Sequence, residues 1–123
     1  MPGPPDLGGF ADVDATGDAR AYGRYLERVG EVPAVAEWKE RSLALLEPRP
    51  GAVLVDAGCG TGDDALALAA RVVPGGRVIG VDASAAMVEA ARARADAAGL
   101  AVEFRVGDVR RLDLPDAAVD GCR

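Results

Sequence analysis

An α/β fold built on a parallel sheet is what this 123-residue sequence predicts, and three observations predict it. Short apolar runs at 52–56, 77–82 and 102–106 alternate with helix-like segments of ten or more residues, and strands spaced this way need right-handed crossovers. Each run ends at or just before an acid: Asp56, Asp82 and, after Gly107, Asp108. Between the first run and its helix lies Gly58-Cys59-Gly60-Thr61-Gly62. Side chains are removed there at alternate positions, as a backbone that turns tightly and admits a ligand requires.

The elements follow in order. Residues 1 to about 15 combine Pro, Gly and Asp without periodicity and predict a flexible arm. Thr16 to Val29 predicts a short helix, capped by Thr16, with Ala19, Tyr22, Leu26 and Val29 on one face and Gly30 at its end. A second helix is expected over Ala34–Leu46, with Val35, Trp38, Leu45 and Leu46 as apolar positions; Pro48 and Pro50 stop it. Ala52–Asp56 reads as a strand covered on both faces. Residues 62–73 predict a helix whose first turn holds Asp63 and Asp64, where carboxylates suit the dipole. Arg77–Asp82 is a second strand, and Ser84–Ala98 a helix capped by Ser84 and closed by Gly99. Its core face is expected to be Met87, Val88, Ala91, Ala95 and Ala98. Val102–Val106 is a third strand, and 118–122 begins a fourth. The predicted order of the first three is 3-2-1, half of a doubly wound sheet. The chain thus divides into an N-terminal arm and helical cap at 1–50 and a sheet-building part at 51–123.

Composition removes several function classes. Fourteen basic against 20 acidic residues give a formal charge of −6, which disfavours a phosphate-backbone footprint, so no nucleic-acid partner is expected. No apolar run approaches the ~20 residues needed to span a bilayer, and the first residues lack a secretory pattern. The expectation is a cytoplasmic protein without a membrane partner. The sequence holds no histidine and two cysteines, so histidine-based triads are absent and a cysteine/histidine metal site is not expected. Cys59 reads as a small loop side chain.

The glycine spacing selects the ligand. Dinucleotide loops place Gly at the first, third and sixth positions; counting from Gly58, the sixth is Asp63, and the glycines stand at one, three and five. An oxidoreductase using NAD conflicts with that. The segment Val53-Leu54-Val55-Asp56-Ala57-Gly58-Cys59-Gly60-Thr61-Gly62 resembles motif I of class I S-adenosylmethionine-dependent methyltransferases. Val78-Ile79-Gly80-Val81-Asp82-Ala83-Ser84, with Met87 downstream, is similar to motif II, and Val106-Gly107-Asp108-Val109 to motif III. Residues 112–120 resemble the approach to strand four, and the whole is nearest the ubiquinone/menaquinone-biosynthesis-like branch. The similarity covers residues 51–122.

The resemblance implies a Rossmann-like sheet of order 3-2-1-4, incomplete, behind an N-terminal helical segment, with S-adenosyl-L-methionine as cofactor. The implied cofactor-binding residues are Asp56, Ala57, Gly58, Cys59, Gly60, Gly62, Asp82, Ala83, Met87, Gly107, Asp108 and Val109. Asp82 is placed to accept from ribose hydroxyls. Asp108 is placed to accept from the adenine amino group, with the Val109 amide donating to a ring nitrogen. The glycine loop meets the methionyl end, Asp56 attracts its ammonium, and Ala83 and Met87 give apolar contact beside the adenine. Tyr22, Tyr25 and Trp38 are candidates to close over the site, although aromatics on helices are more often core.

A complete member resembles a seven-stranded sheet, and this chain supplies four strands at most. The expectation is therefore the N-terminal, cofactor-binding half of an enzyme that methylates a small-molecule acceptor, with strand four an exposed edge open to self-association. The alternative is a non-catalytic S-adenosylmethionine-binding module completed by a partner. No catalytic residue is assigned. Asp120 is the nearest acid, and its position suggests framing of the cofactor cleft.

Overall fold

The computed structural model describes residues 7–123; the first residues of the expected arm lie outside them. Helices α1 (Ala19–Gly30) and α2 (Pro33–Ala44) precede β1 (Val53–Ala57), α3 (Asp63–Val72), β2 (Arg77–Asp82), α4 (Ala85–Ala98), β3 (Glu103–Val106) and β4 (Gly121–Cys122). The sheet runs β3-β2-β1-β4 with every pairing parallel. Reversal of strand order between β1 and β4 puts a crevice beyond their carboxyl ends, where open α/β sheets bind ligands.

Two apolar layers explain why β1 and β2 are continuous hydrophobic runs. On one face Leu54, Val78 and Phe104 pack against Ala65, Leu68 and Val72 of α3 and Val88, Ala91 and Ala95 of α4. On the other, Val55, Ile79 and Val81 meet Leu112, Leu114 and Val119 from the segment after β3. That segment departs from the strand expected over 118–122. Its apolar side chains fold over the sheet instead of extending at its edge, so β4 shortens to two residues.

Other differences have local causes. Asp18, not Thr16, caps α1, accepting from the Ala21 amide at 3.3 Å. Thr16 instead donates its hydroxyl to the Val13 carbonyl at 2.7 Å. In α2 the buried residue is Leu43, whereas Trp38 and Leu45 are 65% and 84% exposed. The apolar stripe expected on that helix is rotated, because α2 meets the core along Leu43. Ala98 is exposed at the end of α4. Ser84 and Gly99 cap that helix as expected, Ser84 accepting from the Met87 amide.

The arm is not free over its described part. Two 3-10 turns, Leu7–Ala11 and Asp14–Thr16, lie against the molecule. Val13 is buried with Tyr22 and Met87, and Phe10 meets Tyr22 edge-on with centroids 4.6 Å apart. Asp14 accepts from the Ser84 hydroxyl and, at 2.7 Å, from the Ala85 amide. A carboxylate at a helix N-terminus is favoured by the unpaired amides there, and this contact straps residues 10–16 across the start of α4.

Candidate functional site

The glycine loop begins where β1 ends. Gly58, Gly60 and Gly62 have φ of +77°, +53° and +87°, the left-handed region that costs other residues about 1–2 kcal/mol. Gly62 is doubly restricted, since a Cβ there would stand 2.9 Å from Phe104 and 3.1 Å from Ala91. The loop's shape is fixed by ties to β2: the Gly58 and Cys59 amides donate to the Val81 carbonyl at 2.7 and 3.0 Å. The Gly60 amide donates to Asp82 Oδ2 at 2.8 Å. From above, α1 closes on the loop, bringing Gly23 and Leu26 over Thr61 and Gly60.

Asp82, at the tip of β2, is therefore part of the loop's architecture. Its second oxygen accepts from the Ser84 amide at 2.9 Å, so both βα turns hang on one carboxylate. A carboxylate has about four acceptor positions, and two of these are used here. Acceptor capacity remains for ligand hydroxyls. Ala83 is exposed beside it, and a cavity of about 160 Å³ lies between Asp82–Ser84 and Phe10–Val13.

Asp56 shares Asp82's face of the sheet by strand alternation and register, yet it faces inward. It is 4% exposed, with the Arg123 guanidinium 3.9 Å away. Burial and the neighbouring Asp64 push its carboxyl up to about 6, against the opposing pull of Arg123 and Lys39. Lys39 and Arg123 both pair with Asp64, at 3.4 and 3.2 Å, making a four-charge group beneath the loop. The Phe104 ring, with Cys59 beside it, fills the space left by Gly80. Burial, then Asp56 and Asp82, push the Cys59 thiol up to about 12, so it stays protonated and inert at neutral pH.

Asp108 stands apart from this pair. It follows β3, on the far side of β2, and is exposed. Arg110 grips both its oxygens, with Nη2–Oδ2 at 2.7 Å, and the Arg110 amide donates to Oδ1 at 2.9 Å. These contacts hold the carboxyl down at about 2. Gly107 donates its amide to the Asp82 carbonyl at 2.9 Å, which carries the β3 turn to the β2 tip. Val109 is exposed.

Met87 is only 3% exposed, buried with Val13 and Tyr22 under the strap. Tyr22 is core, Tyr25 lies 6.1 Å from Phe10, and Trp38 projects from α2 into solvent. Asp120 lies at the opposite end of the sheet from the glycine loop: its carboxylate accepts from the amide of Val53, the first residue of β1, at 2.8 Å. It does not frame the cleft. The strand boundary, set too early from sequence, misplaced it. Sequence reading also missed Asp14, Arg94 and Arg123. Arg94 donates to Thr61 and pairs with Asp63. No local motif marks these three, because each contact joins segments at least 31 positions apart.

A parallel α/β sheet with a glycine loop after its first strand and a carboxylate at the tip of its second defines a nucleotide-cofactor-binding class of protein. Within that class, residues 54–122 match the family described as "Methyltransferase domain", and the chain belongs to that family. It is 39% identical over 87 residues to the demethylmenaquinone methyltransferase of Symbiobacterium thermophilum, covering 69% of this chain and 35% of that protein. It is 48% identical over 81 residues to the nocamycin O-methyltransferase of Saccharothrix syringae, covering 65% and 29%. The crystal structure of a SAM-dependent methyltransferase from Aquifex aeolicus superposes with a TM-score of 0.62 at 28% identity, covering 68% of this chain and 45% of that one. The chain thus spans about a third of the length of these two curated relatives.

Proposed function

We propose that this chain is the cofactor-binding part of an S-adenosylmethionine-dependent methyltransferase whose acceptor is a small molecule. The observation that carries this reading is the loop Gly58–Gly62 tied by Gly60 to the Asp82 carboxylate. One carboxylate there both shapes the loop and keeps acceptor capacity for a ribose. The cofactor, when bound, supplies a methyl group activated on a sulfonium. The chain's residues hold and orient it: the glycine loop, bare of side chains, at the methionyl end, Asp82 at the ribose, and Ala83, Val109 and, once released from Arg110, Asp108 at the base. Asp56 acts from beneath the loop through its charge, and Gly107 by tying the third turn to the second. Orientation of a reactive methyl group is itself a large part of such catalysis.

The family match, the names of the two relatives and the fold of the Aquifex neighbour support the cofactor and the reaction. Demethylmenaquinone and nocamycin, named in the relatives, support a small-molecule acceptor. Residues 1–50 serve as arm and helical cap, and 51–123 as the first half of the cofactor domain. No helix among the described residues is long and apolar enough to cross a membrane. With the net negative charge, this fits a cytoplasmic enzyme that does not act on nucleic acid.

Calorimetric titration with S-adenosylhomocysteine tests the reading, with NADH as the competing ligand. Saturable binding of the first and none of the second is expected. Binding of NADH alone would overturn it. A methyl-transfer assay on quinone and phenol acceptors then separates an enzyme from a binding module, which would bind without turnover.

A further inference from the structure

Glycine-rich loops pack few side chains, so their shape must be held from outside. The first limb of this loop is held by β2, as described. The second limb, Thr61–Asp63, has a different anchor. Arg94 reaches from α4 and donates Nη1 to the Thr61 carbonyl at 2.9 Å and to the Thr61 hydroxyl at 3.2 Å. Its Nη2 pairs with Asp63. One planar guanidinium thus joins the loop, the first residue of α3 and the middle of α4.

We propose that Arg94 is a positioning residue for the cofactor, fixing the Thr61–Gly62 peptide and neutralising Asp63 beside the loop. This rests on the function proposed above. The Thr61–Gly62 peptide is pinned at both poles: its carbonyl by Arg94, and its amide by the Cys59 carbonyl at 2.9 Å. Without Arg94 this plane keeps only the tie from the Gly62 amide to Cys59 and gains room to tilt, because Gly62 tolerates the backbone angles that tilting needs. The charge argument is separate. A ligand carboxylate at the start of α3 gains from the helix dipole but meets Asp63 and Asp64 in the first turn. Lys39 and Arg123 offset Asp64, and Arg94 offsets Asp63. Lysine is a poor substitute, since a single ammonium lacks the fork that reaches Thr61 and Asp63 together.

The test compares wild type with Arg94→Met, Arg94→Lys and Arg71→Met. The last breaks the Arg71–Glu40 pair between α3 and α2, away from the loop. Amide hydrogen exchange is followed without ligand, and S-adenosylhomocysteine affinity by calorimetry. Arg94→Met is expected to speed exchange at 60–63 about tenfold while sparing β1 and β2. It should weaken S-adenosylhomocysteine by about tenfold or more, as loss of a charge-assisted hydrogen bond does. Arg94→Lys should fall between, and Arg71→Met should match wild type. Loop exchange equal to wild type in Arg94→Met, unchanged affinity, or the same losses in Arg71→Met would each overturn the assignment. If wild type itself does not bind S-adenosylhomocysteine, the proposed function falls, and the exchange comparison alone decides whether Arg94 holds the loop.

Discussion

Asp56 shows how a single buried carboxyl is shaped by its surroundings. The unfolded chain releases its proton near 3.8, and the folded chain near 6. Between those values the native state holds more protons, so stability falls as pH rises through that window. A difference of about two units corresponds to about 3 kcal/mol at neutral pH. Asp56→Asn is therefore expected to be more stable than wild type at pH 7 by up to that amount. The gain should shrink as pH falls toward 4. Urea unfolding at half-unit steps from pH 4 to 7.5 checks it, and parallel curves for the two proteins would refute it. The sequence shows an acid at the end of a strand. It does not show that Asp64, Lys39 and Arg123 converge there, because their meeting is a product of three separate packing contacts.

Among the elements, the strap formed by residues 10–16 has the clearest consequence. Asp14 joins the start of α4 through Ser84 and Ala85, and these hydrogen bonds hold its carboxyl below its ordinary range. The cavity beneath the strap, at about 160 Å³, is smaller than the roughly 300 Å³ at which ligand pockets usually begin. A nucleoside entering beside Asp82 and Ala83 is therefore expected to displace Phe10–Val13. Asp14→Ala is expected to quicken limited proteolysis within residues 7–17 and to raise the association rate of S-adenosylhomocysteine. Stopped-flow fluorescence measures the latter, and an unchanged rate would show that the strap does not gate entry. Strands β1, β2 and β3, with α3 and α4, were legible because their signals are local: apolar runs, Ser84, Gly99 and the alternating glycines. The strap was not. Its composition reads as a flexible arm, and its order comes from Val13 finding Tyr22 and Met87, and Asp14 finding a distant helix end. The face of α2 was misread for the same reason, since only packing distinguishes Leu43 from Leu45.

At the scale of the molecule, the strand order and the meeting of Asp82 with the glycine loop follow from the sequence, as alternating strands and helices allow few topologies. Asp108 was legible in position only; that Arg110 occupies its oxygens depends on the conformation of an exposed turn. The outer edge of β4 pairs with no strand among the described residues, and the exposed Cys122 lies on it. Such an edge is a template for another chain. Self-association is expected, seen in sedimentation velocity as a mass that rises with concentration. Introducing a charge by Cys122→Lys should reduce it. A monomer at every concentration would count against this.

The Gly60–Asp82 hydrogen bond bears on how any mutational study of this protein is interpreted. Removing the carboxylate deletes a docking point for the sugar and, in the same stroke, frees the neighbouring turn to collapse. A large drop in affinity for Asp82→Ala would therefore overstate the direct contact. Asp82→Asn keeps an oxygen able to receive the Gly60 amide but sets its NH2 against the Ser84 amide, so it spares the glycine loop at the expense of the turn before α4.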